Sequence, residues 1–152
     1  MAVTKTVIKN TNLETIIKVG GTAGSVTVDL QTDCLAASQA LDGATQAVDI
    51  VAATATGLLN SGITIVRNSV PVLAFAPENN NTFDFEGMGF RDNVENTSDI
   101  VVTVSGAEAH VYLTLRKISG YKTKVEYASY GAYEDESRVG ASTTLSGSPD
   151  KV

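Results

Sequence analysis

A chain of 152 residues with a net charge of −6 and a pI near 4.6 is about one domain, long enough for a substantial core. At 43% hydrophobic and 18% charged it has the composition of a folded domain, and an acidic chain without a Lys/Arg cluster lacks the electrostatic footprint of a nucleic-acid binder. No apolar run reaches membrane-spanning length, and residues 1–12 lack the apolar core and cleavage pattern of a secretory signal, so the expectation is a protein kept in a cytoplasm-like compartment or assembled there into something larger.

Residues 2–9 and 13–19 read as two short strands separated by the polar turn Asn10-Thr11-Asn12. Gly20-Gly21-Thr22-Ala23-Gly24 follows. A glycine-rich loop can cradle a phosphate when it opens a helix, but here it leads into the alternating run Ser25-Val26-Thr27-Val28-Asp29-Leu30, so a hairpin turn is expected. Residues 31–45 are the one stretch that reads as a helix, with Asp33 as cap and Gly43 as stop. A loop in the sheet layer is the open alternative.

From Gln46 to about Thr56 the period of two returns, and residues 57–62 turn the chain. Residues 63–67 and 70–75 face each other across Asn68-Ser69, a two-residue hairpin signal, and Pro71, which removes one ladder donor, is expected either on an edge strand or at a strand's start. Residues 77–81 form a polar loop. Residues 82–90, with Phe83, Phe85, Met88 and Phe90, are expected to form a short strand and a turn that plug one end of the fold.

Residues 99–117 carry the clearest pattern in the chain. Ile100, Val102 and Val104 alternate with Val101 and Thr103, and Val111, Leu113 and Leu115 alternate with Tyr112, Thr114 and Arg116. Two such limbs joined by a short Gly-containing connection read as a β-hairpin whose apolar face needs a second sheet to cover it. The fold expected is therefore all-β, an antiparallel β-sandwich of jelly-roll or Ig-like type with at most one short helix. Beyond Tyr121 large aliphatics become sparse while Gly, Ser, Thr, charges and tyrosines dominate. Such a composition cannot build a core. The expected organisation is a sandwich domain over residues 1–121 and an extended Tyr/Gly/Ser-rich arm over residues 122–152.

The chemistry-bearing residues are few. The single cysteine, Cys34, excludes an intramolecular disulfide and reads as a buried small residue, since no His, Lys or Arg flanks it to activate the thiol. His110 is the sole histidine and begins a strand without a nucleophile in motif context, so a structural role is preferred to catalysis. No catalytic residue, cofactor or enzymatic activity is expected. Asp84, Glu86, Asp92, Glu95 and Asp99 are the densest acidic run and the one candidate for Ca²⁺, although a solvated acidic rim is the preferred reading. Tyr121, Tyr127, Tyr130 and Tyr133 are the candidate partner-interface residues, because tyrosine offers a rigid apolar face with a hydroxyl.

Four segments carry a resemblance: Ile65-Val66-Arg67-Asn68, Asp84-Phe85-Glu86-Gly87, residues 98–103 (SDIVVT) and residues 113–121 (LTLRKISGY). With their flanking strands, over roughly residues 13–121, they resemble the small β-rich virion structural proteins of tailed bacteriophages, those of marine and cyanobacterial phages especially. The resemblance brings no catalytic residues and implies a non-enzymatic building block present in many copies. It implies as partners the major capsid protein or other virion structural proteins and copies of itself, in a lattice or ring, with neither nucleic acid nor membrane, and as location the virion, after synthesis in the host cytoplasm. A capsid decoration (cement) protein is the reading preferred here. A neck, tail or baseplate component is the alternative, and an adhesion module binding carbohydrate through Tyr112 is another.

Overall fold

The computed structural model describes residues 2–88 and 95–124. Its strands are β1 (Thr4–Asn10), β2 (Glu14–Gly21), β3 (Gly24–Val28), β4 (Gln39–Leu41), β5 (Ala47–Gly57), β6 (Ser61–Arg67), β7 (Val70–Phe75), β8 (Thr82–Asp84), β9 (Ile100–Gly106), β10 (Ala109–Ser119) and β11 (Tyr121–Thr123). One sheet runs β1-β2-β10-β5-β8, the second β3-β9-β6-β7, and β4 pairs with β11 as a small flap. All pairings are antiparallel, and the fold is the all-β sandwich expected from the sequence.

The alternation along each strand sets the layers. Ile17, Val19, Val111, Leu113 and Leu115 from the first sheet meet Ile63, Ile65, Ile100, Val102 and Val104 from the second, each buried to within 1% exposure. A fully buried aliphatic side chain contributes roughly 1.5–3 kcal/mol, so this interlayer zone dominates the stability. Phe75 and Phe83 close one flank edge to face, their centroids 5.4 Å apart, with Phe85 beyond Phe83. Phe83 and Phe85 thus pack against the core on a flank, beside the edge strand β8, rather than plugging an end, and Phe90 lies outside the described residues.

The central stretch is not a hairpin. β9 pairs with β3 and β6, and β10 pairs with β2 and β5, so Ala107-Glu108 carries the chain from one sheet to the other. A hairpin would leave both apolar faces on the same side of one sheet. The arch instead lets Ile100, Val102 and Val104 cover Val111, Leu113 and Leu115, so the two limbs satisfy each other. The Gly20–Gly24 segment and residues 57–62 are arches of the same kind, joining β2 to β3 and β5 to β6. The registers Ala109↔Gly21, Ala109↔Gly57 and Ser61↔Gly106 bring all three arches to one end of the sandwich. Gly106, at φ +72°, is required there, since a Cβ would overlap the Asn60 carbonyl oxygen.

Two hairpins are as read from sequence: β1–β2 around residues 11–13, and β6–β7 across Asn68-Ser69, both residues at positive φ as a type I′ turn demands. Pro71 lies on β7, at the edge of its sheet. The expected helix over residues 31–45 is absent. Asp29 Oδ1 accepts from the Gln31 and Thr32 amides and Asp33 Oδ2 from the Asp29 amide, and these local turns compete with helix formation. The short helix, α1, is Phe85–Met88, capped by Asp84 Oδ1 on the Gly87 amide at 3.0 Å. The described fold also runs past Tyr121, since β11 continues to Thr123 and the Lys124 amide donates to the Ser38 carbonyl.

Candidate interaction surfaces

Opposite the glycine arches the sandwich is closed by polar locks. Arg67, at the end of β6, is fully buried. Its Nη1 donates to the Val48 carbonyl of the facing sheet at 2.7 Å, Nη2 to the Ser98 and Asn96 carbonyls at 2.7 and 2.9 Å, and Nε to Ser98 at 3.0 Å. Asn96 Nδ2 in turn donates to the buried Asp49 Oδ1 at 2.9 Å. The planar fork of a guanidinium suits this work, because one side chain reaches three carbonyls at once, of which that of Asn96 also accepts from the Val48 amide.

A second lock surrounds Lys117. Its Nζ donates to Asn10 Oδ1, the Thr11 carbonyl and Gln39 Oε1 at 2.8, 2.7 and 2.6 Å, and lies 5.1 Å from the Tyr121 ring centroid. These acceptors are uncharged, and burial lowers the Lys117 pKa to about 8. Beside it, burial pushes the Cys34 thiol up to about 11, the buried cysteine the sequence suggested. Tyr121 Oη donates to the Leu30 carbonyl at 2.5 Å, and burial raises its pKa. Tyr121 is thereby tied to its own domain while remaining half-buried. Tyr127, Tyr130 and Tyr133 lie outside the described residues.

The acidic run does not converge on a cation site. Asp84 caps α1, Glu86 pairs with Arg116, Glu95 accepts from Asn68 Nδ2 at 2.9 Å, and Asp99 accepts from the Leu30 amide at 3.0 Å. Asp92 lies outside the described residues. Among the described residues no group of three or more His, Cys, Asp or Glu is placed to hold a metal ion. The described carboxylates each serve a different donor, from Gly87 nearby to Arg116 and Leu30 far along the chain.

His110 is half-buried, with Nε2 2.8 Å from Glu108 Oε2, and its ring occupies the space a Gly20 Cβ would need. A shallow polar cleft of about 460 Å³ is lined by Asp29, Gln31, Gln46, Thr97 and Asp99 among others. Much of its polar lining is engaged internally: Gln31 Nε2 donates to Gln46 Oε1 at 2.8 Å, and Gln46 Nε2 to the Gly43 carbonyl at 2.9 Å.

Three exterior features escaped the sequence reading or were only partly seen. Leu58 and Leu59 stand 61% and 71% exposed at the tip of the β5–β6 arch. That tip is rigid: the Leu58 amide donates to the Glu108 carbonyl at 2.9 Å and Ser61 Oγ to the Leu58 carbonyl at 2.6 Å. Two adjacent leucines between Gly57 and Asn60 were the available signal. On the outer face of the five-stranded sheet, Tyr112 is 39% exposed with Lys18 Nζ 5.9 Å from its ring centroid, in a cross-strand row Thr6–Lys18–Tyr112–Thr54–Thr82. The outer face of the four-stranded sheet, by contrast, carries no charged side chain: the one ionisable residue in its strands is Arg67, which points inward.

Among the described residues no helix is long and apolar enough to cross a membrane. No family model matches the chain, and neither a curated protein nor a solved structure matches it.

Proposed function

We propose that the protein is a non-enzymatic virion structural protein of a tailed phage, a capsid decoration protein that binds the capsid lattice and ties neighbouring subunits together through its C-terminal arm. One observation carries the reading. The segments that bear the phage resemblance are joined in space as the framework of the sandwich: Arg67 of the IVRN segment holds Ser98 of the SDIVVT segment, and Glu86 of the DFEG segment pairs with Arg116 of the LTLRKISGY segment. The resemblance therefore rests on residues that build one rigid body, and that body leaves its apolar tip and its neutral face to the exterior. Modest contacts of this kind gain strength by repetition on a lattice.

The experiment is solution mass by light scattering, for the full chain and for residues 1–124, alone and with undecorated capsids. The shorter chain keeps every described contact and folds. The full chain saturates capsids at a lattice-like ratio, and the shorter one does not bind. Self-assembly into a ring without capsid binding points to a neck, tail or baseplate component.

Tyr112 supports a second reading, a carbohydrate-binding adhesion module, because an exposed ring on a flat sheet among threonines and a lysine is a stacking platform for a sugar. Specific glycan-array signals lost in Tyr112→Ala establish it; a blank array removes it.

A further inference from the structure

We propose that the outer face of the β3-β9-β6-β7 sheet is a contact surface for a second copy of this chain. The inference deepens the building-block reading and rests on it for its setting. Two rows cross the face: Ser25–Thr103–Thr64–Ala74 and Thr27–Val101–Val66–Pro71. Its side chains are small, and two of its hydroxyls already pair, Ser25 Oγ with Thr103 Oγ1 at 2.7 Å. The opposite face of the sandwich carries Lys9, Lys18, Asp84 and Arg116 in its strands.

Charge selects the occupant. Each copy carries −6, so copies repel through their general fields. On the neutral face a meeting buries no ion from the four strands, and Lys5, which donates to the Thr27 carbonyl at the β3 edge, keeps its pairing with Asp33. The same patch on both copies makes a two-fold, self-complementary contact, of the kind in which sheets pack about 10 Å apart. Pro71 on β7 interrupts that edge, which opposes growth by strand addition there and favours packing through the face.

Size sets the strength. Four strands about 4.8 Å apart and some six residues long at about 3.4 Å per residue cover roughly 400 Å² per copy, about half of what each partner of a stable interface buries. The contact is therefore weak in dilute solution and is populated where copies are held close together.

The test is sedimentation equilibrium of the full chain from about 10 μM to about 2 mM, at low salt and at about 0.5 M NaCl. The expected result is a monomer–dimer equilibrium that strengthens with salt, because screening removes the repulsion and the contact contains no ion pair to weaken. Thr64→Lys and, as an independent variant on the same face, Thr103→Lys each weaken association about tenfold or more by burying a charge, although both lower the net charge and its repulsion. Thr54→Lys, on the outer face of the other sheet, leaves it unchanged. A chain that stays monomeric throughout overturns the proposal. So does a dimer that survives both lysines, that weakens with salt, or that is lost in Leu58→Ser/Leu59→Ser while both lysine variants retain it. Capsid binding is read separately: a face-mediated dimer that ignores capsids removes the virion reading alone, and a strict monomer that decorates them removes this inference alone.

Discussion

Arg67 and Val48 belong to opposite sheets, yet Arg67 Nη1 donates to the Val48 carbonyl at 2.7 Å, so one guanidinium pins the two layers together where the core ends. Arg67→Met keeps the apolar stem and removes the fork, taking the guanidinium donors from the carbonyls of Val48, Ser98 and Asn96, the last of which keeps the Val48 amide. An unsatisfied buried group costs about 1–3 kcal/mol, and the expected loss is about 3 kcal/mol or more in a urea titration. A loss below about 1 kcal/mol means that water enters and replaces the lock.

Stability should rise and then fall with alkaline pH. Lys117 releases its proton at about 8 when folded and near 10.5 when unfolded, so between these values the unfolded chain binds more protons and folding gains as pH rises. Cys34 acts oppositely, because its unfolded value of 9.0 lies below its folded value of about 11. Tyr121, raised from 10.0, subtracts further above pH 10. The urea midpoint is expected to climb from about pH 8 to 9, level off, and drop above 10. Cys34→Ala should carry the climb on towards pH 10; an unchanged profile in that variant denies the thiol its role.

The β6–β7 turn holds a serine where the geometry favours glycine. Ser69 sits at φ +64° after Asn68 at φ +48°. Ser69→Gly creates the Asn-Gly pair preferred in type I′ turns and relieves left-handed strain. The expected gain is about 0.5–1 kcal/mol, after the entropy of glycine in the unfolded chain is subtracted. Calorimetry should show a higher melting temperature, and a lower one would mean that the Ser69 hydroxyl contributes a contact worth more than the strain.

Gly106 is the matching position at the arched end. Gly106→Ala must move either a left-handed backbone or the Asn60 carbonyl, and a cost of at least about 2 kcal/mol is expected by denaturant unfolding.

What could be read from the sequence divides along the range of the interactions. The Asn68-Ser69 hairpin was legible because a turn is specified by its own two residues. The Ala107-Glu108 arch was not, since a short Gly-flanked connection suits both hairpin and arch, and the choice is made by strands β2, β3, β5 and β6 far away in the chain. Pro71 announced an edge through its missing amide. Nothing local announced that Arg67 is buried, because a polar-to-carbonyl lock depends on residues 96 and 98 folding back over it. Residues 31–45 looked helical by composition, and Asp29 and Asp33 diverted them by bonding to nearby backbone amides. In the acidic run, read chiefly as a rim, only Asp84 uses a nearby amide, while Glu86, Glu95 and Asp99 take donors from Arg116, Asn68 and Leu30, which no local pattern announces.

The β9–β10 arch supplies the central strand of both sheets, β9 between β3 and β6, β10 between β2 and β5. Among the described strands only β11 follows them in the chain. Until residues 100–119 are in place, β2 has only β1, β6 has only β7, β5 has only the short β8, and β3 has no partner strand. The nascent chain therefore waits, with its strand edges open, for one late insertion that completes both layers together. Folding of this kind is slow, non-local and all-or-none.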